Sequence, residues 1–540
     1  MERVDHFSVN GIPVKASIGC FKIFLIAIIV IFFFMILPFN MFLQYYTHKA
    51  VSPVLVVFFV CGIFFLYRVL RKKKPVSFSK LKPTVIDYSQ YTESLVLNNN
   101  VPIWNPYAGV FICGGAGSGK SKSAVEPIIK DAGAKNYTGV VYDFKFPVLA
   151  GYVESAYQGS AIKRYYIDFT NIDYSNRVNP IAPELMKNAS YAREFAFSIL
   201  ANLNKNMITK PDFWTDNSLT YLSAVFWFLR TEYPQFCTLP HAISLVLNTN
   251  YEALISLLRT NAQTADMVAP IGAALDSGAQ NQLAGVISSL QVSLSKINTP
   301  EVYYITSSSD FSLNLNNPED PGILTIGNDP TLSSTYSPII GLMLTSISKQ
   351  LNQKGKLKSM FLIDEFPTVF IPGVEQLPAT ARSNRVATIL ACQDIAQMTD
   401  MYGKEKSETV LSNLGNQFFG RTTNPQTAER VSKIFGKADK LMQSTSDNFS
   451  GSLIGDMRKG GGVSYSYQER ELVKIQDVAT LNTGEFYVIL SEGNMRQGKA
   501  YIPLDPNFQK SDLKANQHVT EAEMNALYNK IRFEANELLT

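Results

Sequence analysis

Cysteine and histidine are scarce in this sequence, and the few that occur lie far apart. Among 540 residues there are five cysteines and four histidines, and no two cysteines form a C-x-x-C pair. This excludes a zinc ribbon and a disulfide-stapled extracellular fold, and it leaves no recognisable histidine-based metal centre. We therefore expect reduced cysteines, and we expect Cys113 and Cys392, which lie in apolar runs, to be buried.

An excess of charge of one sign is also missing. The 49 lysines and arginines nearly balance the 45 aspartates and glutamates, which gives a formal net charge of +4. The chain therefore has no global signature of polyanion binding, and any contact with nucleic acid has to come from local patches. The length is sufficient for several domains.

Charged residues are nearly absent from two long stretches near the N-terminus, where Arg68 is the one exception. Ile23 to Leu43 and Val51 to Leu70 are almost purely apolar, and each approaches the ~20 residues that cross a bilayer. A short polar link, Gln44 to Ala50, joins them, and lysines and arginines flank their outer ends. The pattern predicts a two-helix transmembrane hairpin over 23–70 with both termini in the cytoplasm. The length of the first run and the presence of a second argue against a signal peptide.

The sequence does contain a phosphate-binding loop. Residues 114–121 match the pattern G-x-x-x-x-G-K-[ST] at every fixed position; they are Gly114, Gly115, Ala116, Gly117, Ser118, Gly119, Lys120 and Ser121. The glycines allow backbone amides to converge on a phosphate, Lys120 can reach the β- and γ-phosphates, and Ser121 can ligate Mg²⁺. A strand-like run at Tyr107 to Cys113 precedes the loop and a helical run at Ser123 to Asp131 follows it, which is the context that the motif requires.

A second chemical motif lies further along the chain. Met360 to Glu365 is an apolar strand that ends in two acids. Asp364 is suited to the Mg²⁺ shell, and Glu365 is suited to polarise an attacking water molecule. Gln393 ends the next strand, where its amide can sense a γ-phosphate.

Two arginines lie between these motifs. Arg382 or Arg385 can stabilise transition-state charge at the site of a neighbouring subunit. A solvated helix face explains either arginine equally well, so the two interpretations stay open.

Strands and helices alternate on both sides of a long helical stretch. This pattern predicts an α/β fold with a mostly parallel sheet, divided into nucleotide-binding parts at 107–183 and 301–510 by an all-helical insertion at 184–300. Residues 1–22 precede the membrane hairpin, and 71–106 form a membrane-proximal linker. An amphipathic helix lies within 511–540 and either packs on its own domain or docks a partner.

Two further expectations concern aromatic and small residues. Trp214, Phe226 and Trp227 have helical spacing, and we expect them to form the core of the insertion. Phe449 to Tyr467 is rich in glycine and serine and is expected to be a mobile loop, with Arg458 and Lys459 as candidate DNA-gripping residues.

Together these features resemble the type IV coupling proteins of conjugative DNA transfer (TraG/TraD type), which belong to the RecA/FtsK-like motor ATPases. The resemblance rests on the phosphate loop, Leu362 to Glu365 and Ala391 to Gln397 behind two membrane spans, and it extends to about Asp505. Asn176 to Pro180 is similar to the family's Asn-Pro segment. Asp143-Phe-Lys145 departs from the family's frequent Asp-Pro-Lys-Gly.

The resemblance implies a RecA-like ATPase that uses ATP and Mg²⁺ and forms a homo-hexameric ring under the bacterial inner (plasma) membrane. Such a protein receives a relaxase bound to single-stranded DNA and passes it to the inner-membrane components of the type IV secretion channel. Glu365, Lys120 and Gln393 would be catalytic. Arg382, eleven residues before Gln393, resembles the family's finger arginine.

Two other functions remain open. One is a coupling protein for effector proteins, and the other is an FtsK/HerA-like translocase of double-stranded DNA. The helical insertion and the presence of only two spans disfavour the translocase.

Overall fold

The computed structural model describes Tyr45 and residues 92–539, except 249, 277, 279, 451–457, 494 and 495. Residues 86–540 form one compact unit, to which the following description applies. Apart from Tyr45, the predicted transmembrane hairpin at 23–70 lies outside the described residues. Within the described residues, no helix combines the length and the apolar character needed to span a bilayer.

Thirteen strands are present in the described residues. They are β1 (Leu95–Leu97), β2 (Val101–Ile103), β3 (Val110–Cys113), β4 (Thr138–Asp143), β5 (Lys163–Ile167), β6 (Gly322–Gly327), β7 (Ser359–Ile363), β8 (Val386–Cys392), β9 (Asn416–Phe419), β10 (Lys437–Ser450), β11 (Arg458–Glu471), β12 (Glu485–Ile489) and β13 (Gln497–Tyr501). Nine of them form one sheet in the order β13-β12-β9-β3-β8-β7-β4-β6-β5. The seven from β9 to β5 are parallel, and β12 and β13 are antiparallel at one edge. The predicted α/β fold with a mostly parallel sheet is therefore confirmed.

Helices pack on both faces of this sheet and also form the segment between β5 and β6. They are α1 (Glu126–Ala134), α2 (Val148–Ala156), α3 (Ala189–Leu203), α4 (Asn206–Thr209), α5 (Phe213–Glu232), α6 (Leu239–Asn248), α7 (Tyr251–Leu258), α8 (Ala262–Asp276), α9 (Gln280–Ser295), α10 (Pro300–Thr306), α11 (Ser333–Leu351), α12 (Leu377–Ala381), α13 (Ile395–Tyr402), α14 (Lys404–Asn413), α15 (Pro425–Phe435), α16 (Ile475–Ala479) and α17 (Glu521–Glu537). Helices α3 to α10 lie between β5 and β6. Helices α3 to α9 fall within the stretch 184–300 that was expected to be an all-helical insertion, and α10 begins at its last residue.

The central strands are buried along their whole length and mostly apolar, because both faces of the sheet are covered. In β3, for example, Val110 and Ile112 belong to one hydrophobic core and Phe111 and Cys113 to the other. Helices α1 and α2 and the β1–β2 hairpin cover the first core. The hairpin therefore packs on the sheet unit, and Val96 N donates to Asp131 Oδ2 of α1 at 2.9 Å.

The three described cysteines, Cys113, Cys237 and Cys392, are free and buried. This agrees with the expectation of reduced, buried thiols. The hydrogen bond with Cys113, together with burial, raises the pKa of the Cys392 thiol, which disfavours the reactive thiolate.

The aromatic core of the insertion differs from the prediction at one residue. Phe226 and Trp227 are buried in α5, but Trp214 is 42% exposed. Trp214 is the second residue of α5 and precedes the buried part of the helix. Its ring lies against Gly285 of α9, where an added Cβ would come within 2.9 Å of it. Including Trp214 in the core was therefore wrong, because helical spacing does not reveal where a helix enters the core.

The segment predicted to be a mobile loop is largely strand. β10 and β11 pair antiparallel from Lys437 opposite Glu471 to Ser450 opposite Arg458. Tyr465 and Tyr467 lie in β11 with side chains that are more than half exposed. The prediction was wrong because it relied on the glycine and serine content and gave too little weight to the alternating aromatic residues, which favour a strand.

The C-terminal segment runs from the sheet to the insertion. Ser511 N donates to Gly151 O of α2 at 2.9 Å, and Asn516 N donates to Asp173 O at 2.8 Å. Helix α17 then packs on α6 and α10, with Ile531 only 2% exposed. Of the two interpretations of this amphipathic helix, the structure shows packing on its own chain.

Candidate nucleotide-binding site

The phosphate loop connects β3 to a π-helical turn over Lys120–Val125, which continues into α1. Gly117 and Gly119 have φ values of 74° and 92°, which L side chains rarely adopt. A Cβ at Gly119 would also lie 2.8 Å from Gly484 N. Glycine is therefore required at this position by both backbone conformation and space.

Segments distant in sequence hold the loop from outside. Gly115 N donates to Arg421 O at 2.8 Å, and Gly484 N donates to Ser118 O at 3.0 Å. Thr483 Oγ1 donates to Gly117 O at 2.9 Å. These contacts fix the loop before any ligand binds, which lowers the ordering cost of binding.

Neighbouring strands deliver the other motif residues to the same edge of the sheet. β8 lies between β3 and β7, and Cys113 is in register with Cys392. Because the carboxyl ends of parallel strands meet at one edge, Gln393 follows β8 beside the loop, and Asp364 and Glu365 follow β7. The structure thus brings together the residues of the two motifs that were singled out in the sequence.

Lys120 is the centre of a buried ionic cluster. Its Nζ donates to Asp364 O at 2.7 Å and lies 3.0 Å from Glu365 Oε2 and 3.4 Å from Asp364 Oδ1. Burial alone would lower the pKa of Lys120, but the two carboxylates outweigh it and raise that pKa. The ammonium is therefore charged and available for phosphate.

Glu365 is oriented by two of its neighbours. Gln393 donates from its backbone N to Glu365 Oε1 at 3.2 Å and from Nε2 to Oε2 at 3.3 Å. Together with Lys120, these donors fix the carboxylate in one rotamer at the strand end. A carboxylate held this way can accept a proton from a water molecule positioned in the pocket.

The residues suit a nucleotide with Mg²⁺. Ser121 Oγ lies 3.4 Å from Asp364 Oδ1, so one ion can be held by both. Within the described residues, no three His, Cys, Asp or Glu side chains gather as a complete metal cage. One hydroxyl and one carboxylate, from Ser121 and Asp364, are a donor set that Mg²⁺ takes when phosphate oxygens and water supply its remaining ligands. The buried Ser118 Oγ also has no hydrogen-bond partner.

A cavity of about 480 Å³ occupies this edge of the sheet, which is within the range of small-molecule sites. Its walls include five residues to which the sequence motifs assign no role. Thr483 and Leu504 lie on loops flanking β12 and β13, Phe144 and Lys145 follow β4, and Lys122 follows Ser121. Thr483 and Leu504 carried no local signal in the sequence, since only the fold brings them to the loop.

Asp143, the last residue of β4, lies behind the cavity wall formed by Phe144 and Lys145. It is 1% exposed and accepts hydrogen bonds from the backbone N–H groups of Lys145, Leu149 and Ala150. Burial raises its pKa to about 7, with Asp364 adding to the shift and the backbone donors opposing it. Asp143 thereby fixes the turn that carries Phe144 and Lys145 along the cavity.

The structure does not bring the two candidate finger arginines into this cavity. The Arg382 side chain is 59% exposed and lies 3.5 Å from Glu492. Arg385 pairs with Glu93, and its Nε donates to Glu93 Oε2 at 3.2 Å.

Comparison with known proteins identifies the family of this chain. The family model described as "Type IV secretory system Conjugative DNA transfer" matches residues 77–525, which is most of the chain. The chain belongs to this family. The family resemblance inferred from the motifs is therefore confirmed.

Coupling protein TraD of Escherichia coli (strain K12) is 22% identical over 173 residues, which are 31% of this chain and 24% of TraD. The chain thus matches about a quarter of the length of that curated relative.

Solved structures of conjugative coupling proteins share the fold. The unbound form of TrwBdeltaN70 has a TM-score of 0.58 at 17% identity and covers 78% of this chain and 90% of that one. TrwB in complex with the ATP analogue ADPNP has a TM-score of 0.58 at 16% identity, with coverages of 78% and 91%. TrwB in complex with ADP and Mg²⁺ has a TM-score of 0.56 at 16% identity, with coverages of 76% and 88%.

Proposed function

We propose that this coupling-protein family member is an ATP-hydrolysing motor that drives single-stranded DNA, with a bound relaxase, into a type IV secretion channel during conjugation. The observation that carries the proposal is the meeting of Lys120, Asp364, Glu365 and Gln393 in one cavity of a chain whose family is conjugative DNA transfer. Nucleotide complexes of TrwB, which has the same fold, support ATP and Mg²⁺ as ligands.

Each residue of the site has a distinct task in this proposal. The amides of 114–121 and the Lys120 ammonium bind the phosphates, and Ser121 and Asp364 hold Mg²⁺. The ion neutralises phosphate charge when it is bound. Glu365 accepts the proton of the attacking water molecule, and Gln393, which already contacts Glu365, reports whether the γ-phosphate is present.

A ring of identical subunits, which we propose to be a hexamer, would complete the site. Arg382 is exposed, as a residue that reaches a neighbour's nucleotide must be. In the ring it would leave Glu492 and stabilise transition-state charge in trans.

We further propose that the chain is anchored in the bacterial inner membrane by two spans within 23–70, with both termini and the ATPase unit in the cytoplasm. The support is the two apolar runs and the lysines and arginines at their outer ends. The partners would be a relaxase with single-stranded DNA and the inner-membrane components of the secretion channel.

ATPase assays of the detergent-extracted full chain test the proposal. We expect Mg²⁺-dependent ATP hydrolysis that single-stranded DNA stimulates more than duplex DNA, and loss of both turnover and conjugative transfer in Lys120→Ala. Stimulation by duplex DNA alone would favour an FtsK/HerA-like translocase. Normal DNA transfer by Lys120→Ala would refute the motor function, and transfer of effector proteins without DNA would favour the effector-coupling alternative.

A further inference from the structure

Two lysine side chains line the cavity without a role in the proposed mechanism. Lys122 and Lys145 line the cavity with Lys120, and both side chains are exposed. Lys120 contacts two carboxylates. In the described part of the chain, by contrast, neither Lys122 nor Lys145 forms an ion pair. They are available to a negatively charged ligand.

Lys145 lies on the side of the cavity opposite the phosphate loop. The sheet order β3-β8-β7-β4 puts the loop after β3 and Lys145 after β4, with Asp364 and Glu365 between them. A nucleotide held by the loop directs its terminal phosphate towards Asp364 and Glu365, because these residues complete the hydrolytic half of the site. The Lys145 ammonium, which follows β4, therefore faces the terminal phosphate. Lys122, which is next to Ser121, lies on the side of the phosphate loop.

The backbone that carries Lys145 is held in place. Asp143 Oδ1 accepts from Lys145 N at 3.2 Å, and Asp143 Oδ2 accepts from Leu149 N at 2.7 Å. Val148 N donates back to Lys145 O at 3.1 Å. The turn is thus ordered before ligand binding, and only the flexible lysine side chain has to be immobilised.

Electrostatics favours an additional cation at this place. Asp364 and Glu365 outnumber Lys120 in the buried cluster, so the wall that faces the terminal phosphate has an excess of negative charge. An ammonium at the mouth of the cavity offsets this repulsion and contacts phosphate as a mobile point charge.

We propose that Lys145 is a phosphate-contacting residue that distinguishes a nucleoside triphosphate from a diphosphate at this site. The inference rests on the proposed nucleotide-binding function. Its contact is made to the terminal phosphate and is lost when that phosphate leaves. A charge-assisted hydrogen bond of this kind corresponds to about tenfold in affinity.

Binding of a fluorescent non-hydrolysable ATP analogue and of a fluorescent ADP, both with Mg²⁺, to the detergent-extracted full chain tests the inference. Lys145→Gln is expected to reduce the preference for the ATP analogue over ADP by about tenfold. Lys145→Arg keeps the positive charge and is expected to restore most of this preference. Lys354→Ala removes an exposed lysine in the turn before β7 and serves as the matched control, with unchanged preference.

The outcomes separate this inference from the proposed function. If the wild-type chain binds nucleotide, Lys120→Ala does not, and Lys145→Gln keeps the wild-type preference within about twofold, the inference is overturned and the proposed function stands. Equal loss of ATP-analogue and ADP affinity in Lys145→Gln also overturns it, because Lys145 would then make no contact that depends on the γ-phosphate. Absence of nucleotide binding by the wild-type chain overturns both.

Discussion

Replacing Glu365 by glutamine is expected to change catalysis and binding in opposite directions. Glutamine has nearly the same shape and can still contact Lys120 and Gln393 through its amide, but it cannot act as a base. Loss of a positioned general base typically costs 10²- to 10⁴-fold in rate, on the order of 3–5 kcal/mol in the activation barrier. We expect kcat to fall by about that factor.

The nucleotide affinity should rise in the same variant. In the structure, Lys120 Nζ lies 3.0 Å from Glu365 Oε2, and both side chains are buried. A phosphate that recruits Lys120 has to compete with this charged contact. A hydrogen bond to a charged group contributes about 1.5–3 kcal/mol, and the glutamine oxygen retains part of it. A gain of about 1 kcal/mol remains, which corresponds to roughly fivefold tighter binding of ATP.

Two measurements on one preparation decide the matter: steady-state ATPase activity and equilibrium binding of a fluorescent ATP analogue. Glu405→Gln, on the exposed side of α14, is the matched control and should leave both values unchanged. Wild-type kcat in Glu365→Gln would show that this carboxylate is not the base. Weakened binding together with a low kcat would show that the contact of Glu365 with Lys120 does not compete with the binding of ATP.

Three further changes test other parts of the structure. Gly119→Ala adds a Cβ 2.8 Å from Gly484 N at a φ of 92°, so we expect loss of nucleotide binding with secondary structure retained in circular dichroism; wild-type affinity would contradict the loop geometry. The pKa of Asp143 is raised from 3.8 to about 7 in the fold, so the unfolded state loses this proton first and the free energy of unfolding should fall as pH rises from about 4 to 7. Urea titrations at several pH values should show a weaker fall in Asp143→Asn, and an unchanged slope would refute the assignment. Ile531→Ala empties a buried site on α17 and should cost about 2–4 kcal/mol, seen in urea unfolding as a lower midpoint; no shift would mean that the helix does not depend on this contact.

The local parts of the site were predictable because their functional residues are adjacent in the sequence. The phosphate loop and Asp364-Glu365 each combine an apolar strand with the polar residues that follow it, so the sequence locates both. Element ends were less predictable. The strand expected from Tyr107 begins at Val110, because Gly109 adopts a φ of 77° and breaks the extended backbone.

Other features depend on contacts between distant segments. Thr483 meets the phosphate loop only because β12 lies next to β9, which lies next to β3. Trp214 has the spacing of a core residue, and its exposure depends on where α5 meets α9. The β10–β11 hairpin was missed because its glycines and serines suggested a loop, whereas pairing over fourteen residues decided the conformation.

The C-terminal segment limits how the helical insertion can move. The chain enters the insertion after β5 and leaves it before β6, and helix α3 packs on α11, so the insertion shares a hydrophobic core with the sheet. The hydrogen bonds of Ser511 to α2 and of Asn516 to Asp173, followed by the packing of α17 on α6 and α10, add an attachment that lies far from this core in sequence. Swinging of the insertion against the sheet would therefore require release of the last thirty or so residues in addition to opening of the shared core.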